Sequence, residues 1–159
     1  MSDLKFLKSD GGSLVLTERV IENMIHFRQH RNRKPESGGL MLGRHILHSN
    51  HLVVDVVTVP QHSDRSTRYQ FYRSADHQKI AYKHWLESKN TCTYLGNWHT
   101  HPESFPSPSF VDKINWKKAI KKDKYEGSTL YFVIVGIKEI SCWEGKRRRW
   151  SFKKLNLRE

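Results

Sequence analysis

Short runs of β-branched and aromatic residues, separated by polar breakers, dominate this chain, and only three stretches carry helical periodicity. Residues 13–16 (SLVL) form the first apolar strand candidate. Thr17 follows as an N-cap. Val20, Met24 and Phe27 recur at i, i+4 and i+7 with Ile21 and Ile25 beside them, which predicts an amphipathic helix over 17–31. Pro35 and the Gly38-Gly39 pair end it. Strands are expected over 40–47 and 52–59, joined by a turn at His48-Ser49-Asn50. The second of them is nearly all apolar, the pattern of a strand buried on both faces. Residues 60–68 read as a loop and 69–72 as a short strand. Ser74 opens a second helix over 75–88, with Ile80, Tyr82 and Trp85 as its apolar positions. A strand over 94–101 stops at Pro102. The proline-rich stretch 102–108 excludes regular structure, and Ser109 opens a third helix reaching Lys122, with Ile114 and Ile120 among its apolar residues. Residues 129–137 read as a central strand. Residues 139–144 and 149–157, where Trp150 and Phe152 alternate, read as a hairpin around Glu144-Gly145-Lys146. A bulge is expected at Lys153-Lys154, where the alternation breaks. The order predicts one mixed α/β domain over residues 1–159, with more strands than helices and no internal repeat.

Composition narrows the class. The 28 Lys and Arg against 16 Asp and Glu give a net charge of +12, a strongly basic domain. Aromatic residues at 11% are too frequent for a disordered chain. No apolar run approaches the ~18 residues of a membrane span, and the first residues lack the apolar core of a secretory signal. Cys92 and Cys142 form no disulfide framework. These features predict a cytoplasmic protein with no membrane association.

The chemistry concentrates at His99-Thr100-His101. On a strand, residues i and i+2 share a face with Cα atoms about 6.6 Å apart, close enough for two imidazoles to meet at one metal. The loop after Pro102 can fold back and bring Asp112, in the first turn of the next helix, to the same point. Two nitrogens and one oxygen leave a fourth position for water, as in zinc hydrolases. Glu36, beside Gly38-Gly39 where the backbone is free and few side chains crowd it, is the candidate general base.

Glu36-Ser37-Gly38-Gly39, then His99-Thr100-His101-Pro102, then 106–112 (PSPSFVD) resembles the motif of the JAB/MPN+ (JAMM) zinc metalloproteases. That motif is a distant Glu, His-(Ser/Thr)-His, seven residues, Ser, two residues and Asp. The resemblance covers roughly residues 12–157 and implies the cytidine deaminase-like JAB/MPN fold, a mixed β-sheet flanked by helices. It also implies one Zn²⁺ per chain on His99, His101 and Asp112. Glu36 would take a proton from water, and Ser109 would donate to the developing oxyanion. The implied reaction is hydrolysis of an isopeptide bond after a ubiquitin-like C-terminus. Within the family, the ESGGLMLG segment and the stretch from Asp64-Arg65-Ser66 to Phe71, with Arg73, look like the small bacterial isopeptidases of CBASS antiphage systems. Their substrates would be a cGAS-like nucleotidyltransferase C-terminal tail and its conjugates, and an E1/E2-like conjugating enzyme would be an operon partner. Arg65, Arg68 and Arg73 are the candidates for gripping that tail.

Plainer readings stand beside these. Ser109 and Asp112 have the spacing of a capping box. His26 and His30 lie at i, i+4, but Phe27 replaces the Glu of a HExxH site, so they read as solvent-facing, as do His45, His48 and His51. His62, His77 and His84 have no evident partners. Lys113, Lys117, Lys118, Lys121, Lys122 and Lys124 form one basic stretch and residues 146–149 a second, with Trp116 and Trp150 close by. They are a solvated face, a steering surface for an acidic protein, or a nucleic-acid track. The alternative to an enzyme is a non-catalytic MPN-like scaffold that binds protein or nucleic acid through these faces.

Overall fold

A computed structural model describes residues 2–31, 33–149 and 151–158 of the protein. Ten strands and three helices follow in the order β1 (Leu4–Leu7), β2 (Ser13–Leu16), α1 (Glu18–His26), β3 (Gly38–His45), β4 (Leu52–Val57), β5 (Arg65–Ser66), β6 (Phe71–Tyr72), α2 (Asp76–Glu87), β7 (Thr93–Thr100), α3 (Phe110–Lys122), β8 (Thr129–Val135), β9 (Ile140–Lys146) and β10 (Lys153–Lys154). Eight strands form one sheet in the order β1-β2-β4-β3-β7-β8-β9-β10, and β5-β6 form a separate hairpin. The β2–β4 and β7–β8 pairs are parallel, and the other pairs are antiparallel.

The period-2 alternation of β8 explains how the sheet fills both faces. Tyr131, Val133 and Val135 join a core with α1 residues Val20, Ile21 and Met24. Leu130, Phe132 and Ile134 point the other way, onto Trp116, Ala119 and Ile120 of α3. Strand β4 is not buried on both faces as expected. It alternates, and Asp55 pairs with Arg44 at 2.9 Å on its outer side.

Strand β7 positions the candidate chemistry through a bulge. Met41 opposes Gly96, whereas Leu42 opposes Tyr94, so Leu95 is the extra residue. Leu95 and Trp98 therefore share the α1 side, and Asn97 and His99 turn toward α3. Gly96 has φ +152°, and a Cβ there would meet the Tyr131 carbonyl oxygen at 1.7 Å. Only glycine fits.

Several expected boundaries shift. Strand β1 was not foreseen; its Phe6 is buried and bridges to Leu157 at the far end of the chain. Helix α1 ends at Phe27 instead of 31, because the Gln29 side chain turns inward to bond the carbonyls of Lys34 and Arg68. Arg65 and Ser66 pair with Tyr72 and Phe71, so the expected loop supplies half a hairpin. Ala75, not Ser74, is the N-cap of α2; the Ser74 amide is held by Asp64 instead. Residues Glu144-Gly145-Lys146 continue β9 without turning, and the Glu144 carboxylate accepts from the Ser9 amide. Lys153 and Lys154 pair in regular register with Glu144 and Trp143, so no bulge lies there. Trp150 lies outside the described residues.

Replacing Gly96 by Ala should destabilise the protein by ~3 kcal/mol or more, because backbone must move on two strands. Urea unfolding of the two proteins measures this, and a variant within ~1 kcal/mol of wild type would refute the account of the bulge.

Candidate metal centre

Glu36 enters the site through strand pairing. Its amide donates to the Thr67 carbonyl at 2.6 Å. Next to it, the Ser37 amide donates to Thr100 Oγ1 at 3.0 Å, and the Thr100 amide donates back to the Ser37 carbonyl at 2.9 Å. Gly38 then pairs with His99 across β3–β7. The glycine serves close approach, since a Cβ on Gly38 would meet the Trp98 carbonyl oxygen at 2.5 Å. The expectation of an uncrowded Glu36 therefore fails: the residue is only 4% exposed.

His99 and His101 are also buried. Their Nε2 atoms lie 3.0 Å apart, with Asp112 Oδ1 3.2 Å from His99 and Asp112 Oδ2 3.0 Å from His101. Glu36 Oε1 lies 4.0 Å from His99 Nε2. One ligand atom from each of the four residues falls within 4.8 Å of the others. Ser109 caps α3: its Oγ accepts from the Asp112 amide at 3.0 Å, and Asp112 Oδ2 accepts from the Ser109 amide at 2.8 Å. The capping box thus exists and also orients the Asp112 carboxylate toward the imidazoles.

The donor set fits a divalent cation. Two ring nitrogens and a carboxylate converge on one point, the donor types of a zinc site, and Glu36 Oε2 is buried beside them without a partner. Ligands 2.0–2.1 Å from a tetrahedral zinc would stand about 3.3 Å apart, close to the observed spacings. Glu103, which was not singled out from the sequence, accepts from His101 Nδ1 at 2.7 Å and so fixes that ring. A carboxylate two residues after a ligand histidine was the available signal.

The charges are strongly perturbed. Burial pushes the Glu36 carboxyl up to about 7, against the pull of His99 and His101 and with the push of Asp112. Burial also works against ionised Asp112, but hydrogen bonds to His101 and His99 prevail and hold it far below the usual carboxylate range. Burial disfavours a charged His101, yet Asp112 and Glu103 outweigh it and raise its pKa.

A cleft of about 350 Å³ opens from this cluster. One wall is residues 69–73, the other is α3, and Asn97 and His99 lie between. Arg73 lines it, whereas Arg65 and Arg68 do not; Arg68 rests on the Tyr69 ring, 5.7 Å from its centroid. Residues 60–74 are tied down from behind by a network the sequence did not reveal. His77 is fully buried, with Nε2 2.8 Å from Asp64 Oδ2 and Nδ1 2.6 Å from Thr58 Oγ1. Gln29 makes a second tie. Its Oε1 accepts from Thr100 Oγ1 at 2.9 Å, and its Nε2 donates to the Lys34 and Arg68 carbonyls. The other histidines behave as expected, with His26, His30, His45, His48 and His51 exposed. Trp116 is buried behind His99, 6.3 Å between centroids, and cannot stack on a base.

The pattern of prokaryotic homologues of the JAB domain matches residues 17–153. The chain belongs to this family. It is similar to three proteins named CD-NTase/cGAS isopeptidase. The one from Pseudomonas aeruginosa is 40% identical over 69% of this chain and 70% of that protein. The one from Escherichia coli is 32% identical over 98% and 95%, and the one from Vibrio cholerae is 32% identical over 94% and 92%. The solution structure of protein DSY2949 from Desulfitobacterium hafniense shares the fold, with a TM-score of 0.61 over 87% of each chain at 22% identity. The kinship supports an isopeptidase, a hydrolase of amide bonds. No helix among the described residues is long and apolar enough to cross a membrane.

The raised Glu36 pKa sets a stability profile for the metal-free protein. A carboxyl that titrates higher when folded favours the folded state below its ordinary value of 4.5, and this contribution is lost as pH rises through about 7. Metal-free Glu36→Gln should therefore match wild type near pH 4.5 and exceed it in Tm at pH 8. An equal Tm difference at both values would exclude the burial effect.

Proposed function

We propose that the protein is a zinc-dependent isopeptidase that releases the C-terminus of a cGAS-like nucleotidyltransferase, or of a ubiquitin-like protein, from its conjugates, and so reverses conjugation in bacterial antiphage defence. The observation that carries this reading is the buried Glu36, His99, His101 and Asp112 cluster at the end of an open cleft. The names of the three relatives point to the nucleotidyltransferase.

His99, His101 and Asp112 would hold the zinc. When bound, it supplies Lewis acidity that makes water an available nucleophile near neutral pH. Glu36 is suited to the proton transfers, because its carboxylate is buried beside the ligand set, with Oε1 4.0 Å from His99 Nε2 and Oε2 without a partner. Its path to the leaving amine is short, since it shares the cleft with His99. Ser109 Oγ accepts one hydrogen bond from the helix, and its own hydrogen remains for an oxyanion. The tail of the substrate would lie extended in the cleft. Among the described residues strand β6 pairs only with β5, which leaves its other edge for backbone hydrogen bonds to an added strand. Arg73 would meet that tail. The two cysteines are free thiols, as suits a reducing cytoplasm.

A nucleotidyltransferase fused through its C-terminus to a reporter protein tests the reading. The purified enzyme should carry one zinc per chain and cleave the fusion. Glu36→Gln should keep the zinc and lose roughly 10²–10⁴-fold in rate. His99→Ala should lose zinc and activity together. Ser109→Ala should keep zinc and slow by roughly 10²-fold; full activity with a lower Tm would leave Ser109 as a cap only. Protein that holds no metal and cleaves neither this fusion nor a ubiquitin-like one overturns the enzyme reading in favour of a scaffold.

A further inference from the structure

The cleft has a charge pattern of its own. It follows α3 from end to end, since Asp112, Asn115, Ala119 and Asp123, about one residue per turn, all line it. Two of its three carboxylates sit at the metal end. Glu36 and Asp112 belong to the metal cluster, and Asp123 Oδ2 accepts from the Tyr94 hydroxyl at 2.8 Å. Beyond the metal end, Lys118 and Lys122 stand on the α3 wall and Arg73 on the facing wall. All three are exposed and make no ion pair among the described residues. The cleft then widens into a depression of about 860 Å³ that shares Arg73, Lys122 and Asp123 with it and adds Lys124. The one other carboxylate there, Glu126, is engaged with His45 at 3.1 Å. An extended chain that starts at the metal end and leaves by this route passes four cations, Lys118, Lys122, Arg73 and Lys124, against two carboxylates, Asp123 and Glu126.

We infer that the substrate segment preceding the cleaved bond is acidic, and that it lies along α3 with alternate carboxylates on Lys118 and Lys122 and with Arg73 closing over it. The inference rests on the isopeptidase reading. The spacings agree: Lys118 and Lys122 are one helical turn apart, about 6 Å, while alternate side chains of an extended chain repeat every 6.6–6.8 Å or so. From Asp112, Lys118 is six residues along the helix, about 9 Å, and Lys122 ten residues, about 15 Å. An extended chain covers those distances in about three and about five residues. The acidic positions are therefore expected about three and five residues before the cleaved carbonyl. An acyl side is favoured over a leaving side because the route ends in a depression wide enough to meet the folded protein that bears the tail. The same cations would attract phosphates, and exposed Tyr69 and Tyr72 share the cleft, but its far end closes on the buried Glu36, His99 and Asp112 cluster, which suits a peptide carbonyl.

The nucleotidyltransferase–reporter fusion is made in three forms, with Glu, Gln or Lys at both of those positions. Binding is read separately, by fluorescence anisotropy of dye-labelled octapeptides with the same three substitutions on zinc-loaded Glu36→Gln protein. Glu should exceed Lys by about tenfold or more in both kcat/KM and affinity at 50 mM salt, and the ratio should shrink at 500 mM. Lys118→Glu/Lys122→Glu should reverse the order, and Lys118→Gln/Lys122→Gln should abolish it. Cleavage of all three fusions at one rate, with equal peptide affinities, overturns the inference and leaves the isopeptidase reading standing. Failure to cleave any fusion while the Glu peptide still binds best overturns that reading instead. A single-stranded 12-nucleotide DNA that binds more tightly than the Glu peptide, and loses this with the same charge reversals, assigns the cations to nucleic acid and also overturns the inference.

Discussion

Four side chains, two imidazoles and two carboxylates, converge within 4.8 Å of one another, and separate parts of the fold bring each of them there. No single bond does this. The β3–β7 pairing delivers Glu36 beside His99, the Gly96 bulge turns His99 toward α3, and the Ser109 cap aims Asp112 back at both imidazoles. Helix α3 holds Asp112 in place because its far face is anchored: Trp116 stacks on Phe132 at 4.6 Å and packs against Trp143 and Phe152. The aromatic cluster is thus a support for the Asp112 carboxylate as well as a core. Its position also clarifies why α3 looks weakly amphipathic. Phe110, Val111 and Ile114 are exposed near the mouth of the cleft, where a core helix would carry polar residues.

How far this could be read from the chain depends on the range of the interactions involved. The His99, His101, Ser109 and Asp112 arrangement was legible because strand alternation and helix capping act over two to four residues. The central strands were legible for the same reason. What escaped depends on distant partners. Strand β1 owes its form to pairing with β2 and to Leu157 near the other terminus. The β5–β6 hairpin has only two residues per strand, too few for a pattern. Gln29 and His77 are ordinary polar residues in sequence and are buried here only because their partners, up to 71 residues away, saturate them. The glycines beside Glu36 misled in an instructive way. They permit crowding, where freedom was expected.

The wall formed by residues 60–74 is joined to the rest of the molecule at both ends. Asp64 reaches His77 and the Ser74 amide at one end, and the Arg68 carbonyl and Thr67 carbonyl meet Gln29 and the Glu36 amide at the other. Phe71 lies between them, edge-on to the His77 ring. Glu36 and the wall of the cleft are therefore parts of one hydrogen-bonded unit. A shift of the wall would move Glu36 with it.

That shared anchorage has a consequence for selectivity. A cover that swings would admit bulky chains and then close on them, but a jamb pinned at both ends works as a fixed gauge. For the proposed isopeptidase, side chains too wide for the slot would be turned away before the scissile carbonyl reaches the cluster. Threading through such an aperture would also demand a flexible leader, so that an amide embedded in a folded loop would be protected by its own stiffness.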